Sequence, residues 1–405
     1  MKTAFFTQNV KQGGLDTFIL NLIAHWPEVD HITLFCNRSH PGLPMLCKHL
    51  AEKAEVVPYD FWIAQDISER MARIPRVGRL LFRALFWVFG FPYLLIQTRG
   101  LFKKFNPDRL MVINGGYPGG DACLAATIAW ASMNPKAPAW HNFHNLVLPY
   151  SIQPLLNLKE RLVDYFVTRA AAGFVTVSAA CMATLDARPR LGESTRAFIY
   201  NGIVPIADTP TTSLAGELGL PSDTSLILML AVYEPRKGHV FMLRAIEEVI
   251  RRVPAAALLI CGDGNPEEIE RVQEIRNASA FAQRIFLQGH RKDVVNLLSQ
   301  AAVLVLPSQG QESFGYSVIE AMACGCPVVV TNIGGLPEVV EDGVSGFVVP
   351  SDDWRAFADQ IVTLLQDGTL RNQMREAGKT RYRELFQAQR MADEYWRLLE
   401  GVARL

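Results

Sequence analysis

Residues 302–331 read AVLVLPSQGQESFGYSVIEAMACGCPVVVT, and this stretch decides the fold. A continuous apolar run at Ala302–Leu306 indicates a buried strand, and a second run of the same kind follows at Pro327–Thr331. Between the two runs the pattern predicts a turn and then a helix from about Phe314 to Cys324. A strand, a helix and a strand in this order predict a parallel βαβ unit.

Both halves of the chain repeat this order of short apolar run, turn and helix-like stretch. The strand-like runs are Thr3–Thr7, His31–Cys36, Arg109–Ile113, Ala137–Phe143 and Gly173–Val177 in the first half, and Leu226–Ala231, Ala256–Cys261, Arg284–Leu287, Ala302–Leu306 and Pro327–Thr331 in the second. Most are continuous rather than alternating, as in parallel strands covered by helices on both faces. The sequence therefore predicts an α/β protein with a doubly wound, Rossmann-like sheet in each half.

The length of 405 residues is about right for two such domains. A Pro-, Thr- and Ser-rich stretch predicts a linker at 204–223, between an N-terminal domain at 1–203 and a C-terminal domain at 224–388. The helix-like residues 389–405 could cross back to the first domain. Two doubly wound domains that face each other form a cleft at the carboxyl ends of both sheets, where ligands bind in such folds.

Charge and cysteine content narrow the class of protein. Lys plus Arg equal Asp plus Glu at 40 each, so no overall field favours a nucleic-acid partner. The first apolar stretch is too short for a secretory signal, and seven scattered cysteines suit reduced thiols better than disulfides. Cys324-Gly325-Cys326 has no second pair to complete a metal site. We therefore expect a cytoplasmic protein without a bound metal.

The helix predicted near Phe314 begins like an anion site. The backbone amides of Phe314, Gly315 and Tyr316 would lie at its N-terminus, where a diphosphate is stabilised. Glu312 precedes the helix, and Glu320 lies inside it among apolar neighbours, where a carboxylate needs donors such as the hydroxyls of a ribose. The alternative is that Glu320 is a satisfied helix residue and Glu312 a solvated loop acid.

The same segment resembles a known family. Two glutamates seven residues apart within Pro-Ser-x-x-Glu-Ser-Phe-Gly-x-x-x-x-Glu-Ala-Met-Ala-x-Gly-x-Pro-Val-Val are similar to the donor-site signature of family 4 retaining glycosyltransferases, which have the GT-B fold. The resemblance extends to Asn201-Gly202-Ile203, Cys261-Gly262-Asp263-Gly264, Gly334–Glu338 and Asp342–Val349. It covers the second half almost throughout and the first half only in short pieces.

The resemblance implies roles for individual residues. Glu312 would contact the donor sugar, Glu320 the ribose, and the amides near Phe314 and Gly315 the phosphates or sugar hydroxyls. Lys237 matches the family lysine that holds the diphosphate. The family arginine that normally precedes this lysine would fall at Val232 or Ala231 and is missing. Arg236, next to Lys237, would either replace it or be a solvated turn residue.

In the first half the resemblance points to a glycine pair and a histidine. Gly13 and Gly14 follow the first strand and match the family's loop that faces the donor phosphates, although two glycines also suit a plain tight turn. Trp140–Asn145 contains two histidines at the end of a strand. His144 best matches the family histidine near the reacting sugar, whereas His141 would lie inside the strand.

A basic and aromatic segment suggests a membrane contact. Arg73, Arg76, Arg79 and Arg83 recur on one helix face, followed by an aromatic-rich stretch at 84–96 and by Arg99, Lys103 and Lys104. An apolar face beside arginines suits a membrane interface, so residues 76–104 are a candidate contact with the cytoplasmic face of the inner membrane. The alternative is an internal helix packed under the first sheet.

These inferences together predict a retaining transfer of a hexose from a nucleotide-diphosphate sugar to a saccharide, either lipid-linked or part of a lipopolysaccharide or polysaccharide. The nucleotide-diphosphate sugar is a co-substrate, and no metal or other cofactor is expected. His144, Glu312 and Lys237 are the predicted catalytic residues. A nucleotide-sugar epimerase of the same architecture and a catalytically inactive binding subunit are alternatives. A dinucleotide oxidoreductase is disfavoured because no Gly-x-Gly-x-x-Gly follows either first strand.

Overall fold

The computed structural model describes residues 1–63, 78, 89–204 and 212–401. The chain divides into two compact units. Met1–Gly202 and Ala388–Leu405 form the first unit, and Ile203–Gln387 form the second. The last segment of the chain therefore belongs to the first unit, and the second unit is inserted between two parts of it.

The first unit is built on a parallel seven-stranded sheet in the order β3-β2-β1-β4-β5-β6-β7. Its strands are β1 Lys2–Gln8, β2 His31–Asn37, β3 Ala54–Tyr59, β4 Arg109–Asn114, β5 Ala139–Phe143, β6 Ala171–Thr176 and β7 Arg196–Phe198. Its helices up to this point are α1 Gly14–Ala24, α2 Leu43–Leu50, α3 Phe91–Phe105, α4 Asp121–Met133, α5 Pro154–Ala170, α6 Ala179–Ala183 and α7 Pro189–Gly192. The strand order reverses between β1 and β4, which is the point where ligands bind in doubly wound sheets.

The second unit repeats this plan with a parallel six-stranded sheet in the order β10-β9-β8-β11-β12-β13. Its strands are β8 Ser225–Leu230, β9 Ala256–Cys261, β10 Ile285–Gln288, β11 Val303–Leu306, β12 Val328–Thr331 and β13 Gly346–Val349. Its helices are α8 Leu214–Glu217, α9 His239–Arg252, α10 Pro266–Ala278, α11 Val294–Gln300, α12 Tyr316–Cys324, α13 Leu336–Val339, α14 Trp354–Gln366 and α15 Gly368–Leu385. Here the order reverses between β8 and β11.

The ten strands predicted from the sequence are present, with ends shifted by one or two residues. The strands that the sequence analysis missed are β3, β7 and β13, and all three lie at sheet edges. The side chains of β3 and β7 are mostly only partly buried, so no continuous apolar run marks these two strands, whereas β13 is apolar but only four residues long. Pro58 within β3 weakens the signal further.

The segment Ala388–Glu400 forms α16, which packs within the first unit. Arg109 on β4 pairs with both Asp30 and Glu400. The amide of Asn142 on β5 donates a hydrogen bond of 2.9 Å to the buried hydroxyl of Tyr395. These contacts attach the helix to the centre of the first sheet.

The proposed membrane segment is only partly described. Arg73, Arg76, Arg79, Arg83 and residues 84–88 lie outside the described residues. Within α3, Phe91, Leu94 and Phe102 are buried in the core of the first unit, which agrees with an internal helix for that part of the segment. None of the helices in the described ranges is long and apolar enough to cross a bilayer.

Candidate active site

Glu312 and Lys237 meet at the reversal point of the second sheet. Lys237 follows β8, and Glu312 lies in the loop after β11, so the parallel strands deliver both side chains to the same edge. The Nζ atom of Lys237 donates to Oε2 of Glu312 at 2.5 Å. The side chains are 13% and 8% exposed, so this ion pair is largely shielded from water.

The hydroxyl of Ser308, which the sequence analysis did not single out, also contacts this ion pair. Ser308 Oγ donates to the same Oε2 of Glu312 at 3.0 Å. Thr331 at the end of β12 donates to the carbonyl of Ser308 at 2.6 Å and so fixes its position. The Pro-Ser at the start of the quoted signature was the available signal, because it put Ser308 four residues before Glu312.

Two glycines allow the loops around the pair to approach each other closely. Gly334 has φ +56, and a Cβ on it would lie 1.8 Å from the carbonyl oxygen of Glu312. The next amide, of Gly335, donates to that carbonyl at 3.0 Å. Gly238 has φ +78, and a Cβ there would lie 1.9 Å from the carbonyl of Pro307. A side chain at Gly334 would push the Glu312 loop away from the loop after β12, and one at Gly238 would push the Lys237 loop away from Pro307.

Arg236 lies beside Lys237 but has other partners. Its Nε donates to Glu234 at 2.6 Å, and its Nη1 donates to the carbonyl of Gln311 at 2.9 Å. Its side chain is 39% exposed. Arg236 therefore bridges the two loops at their surface with part of its charge already neutralised by Glu234, and its replacement of the missing family arginine stays a prediction.

The helix that follows Glu312 begins with an unusual backbone. Gly315 is its N-cap, with φ +100, and a Cβ there would lie 2.7 Å from Leu336. Within the described residues no side chain caps this end. The helix dipole and the amides at this end therefore favour an anion. Phe314 is buried against Phe386, and Tyr316 is half-buried with its ring 6.0 Å from that of Phe314.

Glu320 lies in the second turn of α12 and is half-buried. Burial raises the pKa of its carboxyl from 4.5 to about 7. In the described part of the chain no cation or hydrogen-bond donor offsets this desolvation. A carboxylate in this setting binds neutral donors readily, because hydroxyl groups would replace the water it has lost.

In the first unit, the glycine loop is held by a buried acid. Gly13 caps α1, and its amide donates to Asp16 at 2.8 Å. Asp16 is 1% exposed, and it also accepts from Asn9 at 3.1 Å and pairs with His40 at 2.7 Å. The loop at Gly13 and Gly14 is therefore held in place by hydrogen bonds to a buried carboxylate. An acid three residues after a glycine at a helix start was the signal for it.

The two histidines of β5 and its following loop have different environments. His141 lies inside the strand, bonded to Thr127 at 2.9 Å and Asn114 at 3.2 Å. His144 lies beyond the strand, with its ring centroid 4.0 Å from that of Phe18. Among the described residues none bonds to its buried Nε2. Burial lowers the pKa of both rings to about 3, so both are neutral near pH 7.

The structure therefore places the predicted residues in two groups. Lys237, Arg236, Glu312 and the start of α12 share one end of the second sheet, and Glu320 follows on the same helix. In the first unit, the ring of His144 packs against Phe18 on α1, the helix whose N-cap is Gly13.

None of the seven cysteines forms a disulfide. Five of them are buried, Cys324 is half-buried and Cys47 is exposed. Over the described ranges no three His, Cys, Asp or Glu side chains are grouped as metal ligands.

Comparison with known proteins identifies the family of the second unit. Residues 211–381 match the family model described as glycosyl transferases group 1. The chain is 30% identical over 193 residues to an N-acetyl-alpha-D-glucosaminyl L-malate synthase of Bacillus anthracis, covering 48% of this chain and 50% of that protein. It is 31% identical over 213 residues to a phosphatidyl-myo-inositol mannosyltransferase of Mycobacterium tuberculosis (strain CDC 1551 / Oshkosh), covering 51% and 54%. These matches span about half the length of each relative.

The fold extends over the whole chain. A crystal structure of Anabaena Alr3699/HepE in complex with UDP-glucose superposes with a TM-score of 0.73 at 18% identity, covering 99% of this chain and 100% of that one. With two parallel Rossmann-like sheets, this similarity confirms the predicted GT-B fold. Residues 211–381 are therefore similar to the glycosyl transferases group 1, as the donor-site signature predicted.

Proposed function

We propose that this protein is a retaining glycosyltransferase that moves a hexose from a nucleotide-diphosphate sugar to a saccharide acceptor, which is lipid-linked or part of a lipopolysaccharide or polysaccharide. The observation that carries the proposal is the shielded pair of Lys237 and Glu312 in the loops that precede α12, a helix whose N-cap is Gly315. This arrangement offers a cation and oriented amides to a diphosphate and a carboxylate to sugar hydroxyls.

The proposed reaction breaks the bond between the anomeric carbon and the diphosphate oxygen. A bond from the acceptor hydroxyl oxygen to that carbon replaces it, and the family resemblance favours attack from the same face. The acceptor proton passes to the leaving phosphate. Lys237 and the amides near Phe314, Gly315 and Tyr316 stabilise the charge that builds on the leaving diphosphate.

The other residues position the two substrates. Glu320 accepts hydrogen bonds from the ribose hydroxyls, and Glu312 orients both Lys237 and the donor sugar. Gly13 and Gly14 let the donor phosphates approach the backbone. His144 is neutral, so it acts as a hydrogen-bonding group toward the sugar rather than as a cation.

The comparisons support this donor and acceptor chemistry by similarity alone. The Anabaena protein was crystallised with UDP-glucose, and the mycobacterial relative is named for mannosyl transfer to phosphatidyl-myo-inositol. We infer a metal-independent enzyme, so chelation by EDTA should leave the rate unchanged. We also infer a cytoplasmic enzyme peripheral to the inner membrane. A membrane contact through 76–104 stays a prediction.

The test begins with thermal shifts of the purified protein in UDP-, GDP-, ADP- and dTDP-sugars. The sugars of one nucleotide should raise the melting temperature of the wild type but not that of Lys237→Met. Arg252→Gln, a surface variant of the same unit, should show the same shift as the wild type. The transfer product formed from the winning donor should keep the anomeric configuration by NMR. Interconversion of the donor sugar without an acceptor would instead establish the epimerase alternative.

A further inference from the structure

The helix α5 exposes apolar side chains along one face. Leu155, Leu158, Leu162 and Phe166 follow one another at spacings of three, four and four residues, so they form a single stripe. They are 80%, 57%, 42% and 51% exposed, and Ile152 just before the helix is 100% exposed. Single exposed leucines are ordinary, but a continuous stripe of them indicates a surface that contacts something.

The opposite face of the same helix buries its acids. Glu160 and Asp164 are 6% and 0% exposed, and both bind the fully buried Arg188. Arg188 donates to Glu160 at 2.7 Å and to Asp164 at 3.2 Å. The helix thus buries two paired acids beside Val163 and Val167 and exposes its leucines. Arg188 offsets part of the charge of the two acids, which lie on the buried side of the helix and away from the exposed stripe.

Basic side chains border the exposed stripe. Arg161, Arg169 and Arg190 are exposed, and each guanidinium lies over a tyrosine ring. Arg161 is 4.5 Å from the centroid of Tyr150, whereas Arg169 and Arg190 are 4.4 and 4.9 Å from that of Tyr165. Arginine and tyrosine side chains combine an apolar body with a polar tip, which suits the headgroup level of a bilayer.

A cavity of about 510 Å³ lies among these groups. Leu158 and Leu162 of the stripe line it, together with Arg161 and Arg190, and Glu193 is the acid among its lining residues. The two arginines outnumber this acid, so the cavity suits an anionic group attached to an apolar chain. This combination is the chemistry of a phospholipid with a charged headgroup.

We propose that this surface, defined by the stripe of α5 and its bordering arginines, seats the protein on an anionic phospholipid bilayer. The leucines and Phe166 enter the boundary of the acyl chains, and the arginines meet the lipid phosphates. The occupant follows from the charge, because an anionic bilayer carries a net negative charge that attracts the arginines, whereas a zwitterionic or neutral surface carries none. The inference goes beyond the proposed function and does not depend on sugar transfer.

The test is sedimentation of the full chain with vesicles, without donor or acceptor. The protein should sediment with phosphatidylcholine vesicles that contain phosphatidylglycerol and far less with phosphatidylcholine alone. The triple variant Leu155→Ser, Leu158→Ser and Phe166→Ser should bind the anionic vesicles about tenfold more weakly or worse, since three apolar side chains that would enter the bilayer are lost. Arg161→Gln with Arg190→Gln should weaken binding and reduce its salt dependence.

Two control variants separate this surface from others of the same unit. Val29→Ser removes an apolar side chain that is 70% exposed elsewhere and should bind as the wild type does. Ile96→Ser, on α3 and 67% exposed, tests the segment 76–104 instead. In a second approach, tryptophan at position 155 (Leu155→Trp) should shift its fluorescence to the blue with anionic vesicles only.

Three outcomes would overturn the proposal. The wild type could ignore anionic vesicles, or the triple variant could bind them like the wild type. The wild type could also be a dimer in light scattering that the triple variant breaks, which would make the surface an interface between copies. Vesicle binding and transfer to a soluble acceptor are measured separately, so failure of one leaves the other result intact.

Discussion

Lys237 and Glu312 are 75 residues apart in the chain, yet their charged atoms lie 2.5 Å apart. The two strands that precede them, β8 and β11, are neighbours at the point where the sheet reverses its order. Under the proposed function, a donor diphosphate that reaches Lys237 would share this ammonium with a carboxylate. The lysine is therefore held in place before the donor arrives, which lowers the ordering cost of binding.

Removal of Lys237 should affect stability and activity separately. Lys237→Met leaves the carboxylate of Glu312 shielded without a cation, and we expect a loss of about 3 kcal/mol in the free energy of unfolding. Transfer should fall by about 10² to 10³ because the leaving diphosphate loses its cation. The double variant Lys237→Met with Glu312→Gln should regain stability in urea titrations but not activity. Recovery of transfer in the double variant would show that the pair is only structural.

Glu320 should make nucleotide binding depend on pH. The pKa of its carboxyl in the folded protein is about 7, above the ordinary value of 4.5. The folded protein therefore loses stability as the pH rises from 4.5 to 7, because the buried carboxyl must ionise. Above pH 7 the whole of this loss remains. Ribose hydroxyls favour the ionised form, so affinity for the preferred nucleoside diphosphate should rise from pH 6 to pH 8, with proton release.

Calorimetry in two buffers of different ionisation enthalpy measures both quantities. Glu320→Gln should bind more weakly with a flat pH profile, and the exposed Glu384→Gln on α15 should behave as the wild type does. A wild-type profile in Glu320→Gln would remove this carboxyl from the nucleotide site.

Gly334 should tolerate no side chain. Its positive φ strains any other residue, and the added Cβ of Gly334→Ala would collide with the backbone of Glu312. Gly343 has φ +74 with nothing within 4 Å of its Cβ position, so Gly343→Ala carries the strain without the collision. We expect a loss of about 1 kcal/mol for Gly343→Ala in thermal unfolding and a larger loss, with greatly reduced transfer, for Gly334→Ala. Equal transfer by the two variants would contradict this role.

His144 should contribute hydrogen bonding without titrating near neutrality. Because burial lowers its pKa to about 3, the rate between pH 6 and 9 should show no step that His144→Gln abolishes. The rate itself should fall by about tenfold to a hundredfold with little change in melting temperature. The exposed His49→Gln on α2 is the matched control. A pH step near 6.5 lost only in His144→Gln would require a protonated ring instead.

The candidate site of the second unit was largely predictable from the sequence, because one local signature contains most of its residues. Glu312, the start of α12 and Glu320 lie within nine consecutive residues. The contacts that hold this segment in place could not be predicted in the same way. Gly334 and Ser308 act through close backbone approach and a single hydroxyl contact, and neither depends on a periodic pattern.

In the first unit, hydrophobic periodicity predicted the central strands but not the polar groups between them. The bond from Asn142 to Tyr395 spans 253 residues, and the contacts of Asp16 with His40 depend on how two loops fold together. The exposure of the leucines on α5 was also not predictable, because their spacing resembles the core face of an ordinary helix. Which face of a helix is buried depends on tertiary packing, and the sequence pattern of the helix alone does not show it.

The attachment of α16 to the first unit has a consequence for synthesis. The ribosome completes all of the second unit before it adds Tyr395 and Glu400. The contacts of Asn142 with Tyr395 and of Arg109 with Glu400 can therefore form only at the end of synthesis. During that interval the polar groups of Arg109 and Asn142 lack these contacts. A nascent chain paused before Ala388 should therefore be cut by protease in its early residues, while the later domain already resists digestion.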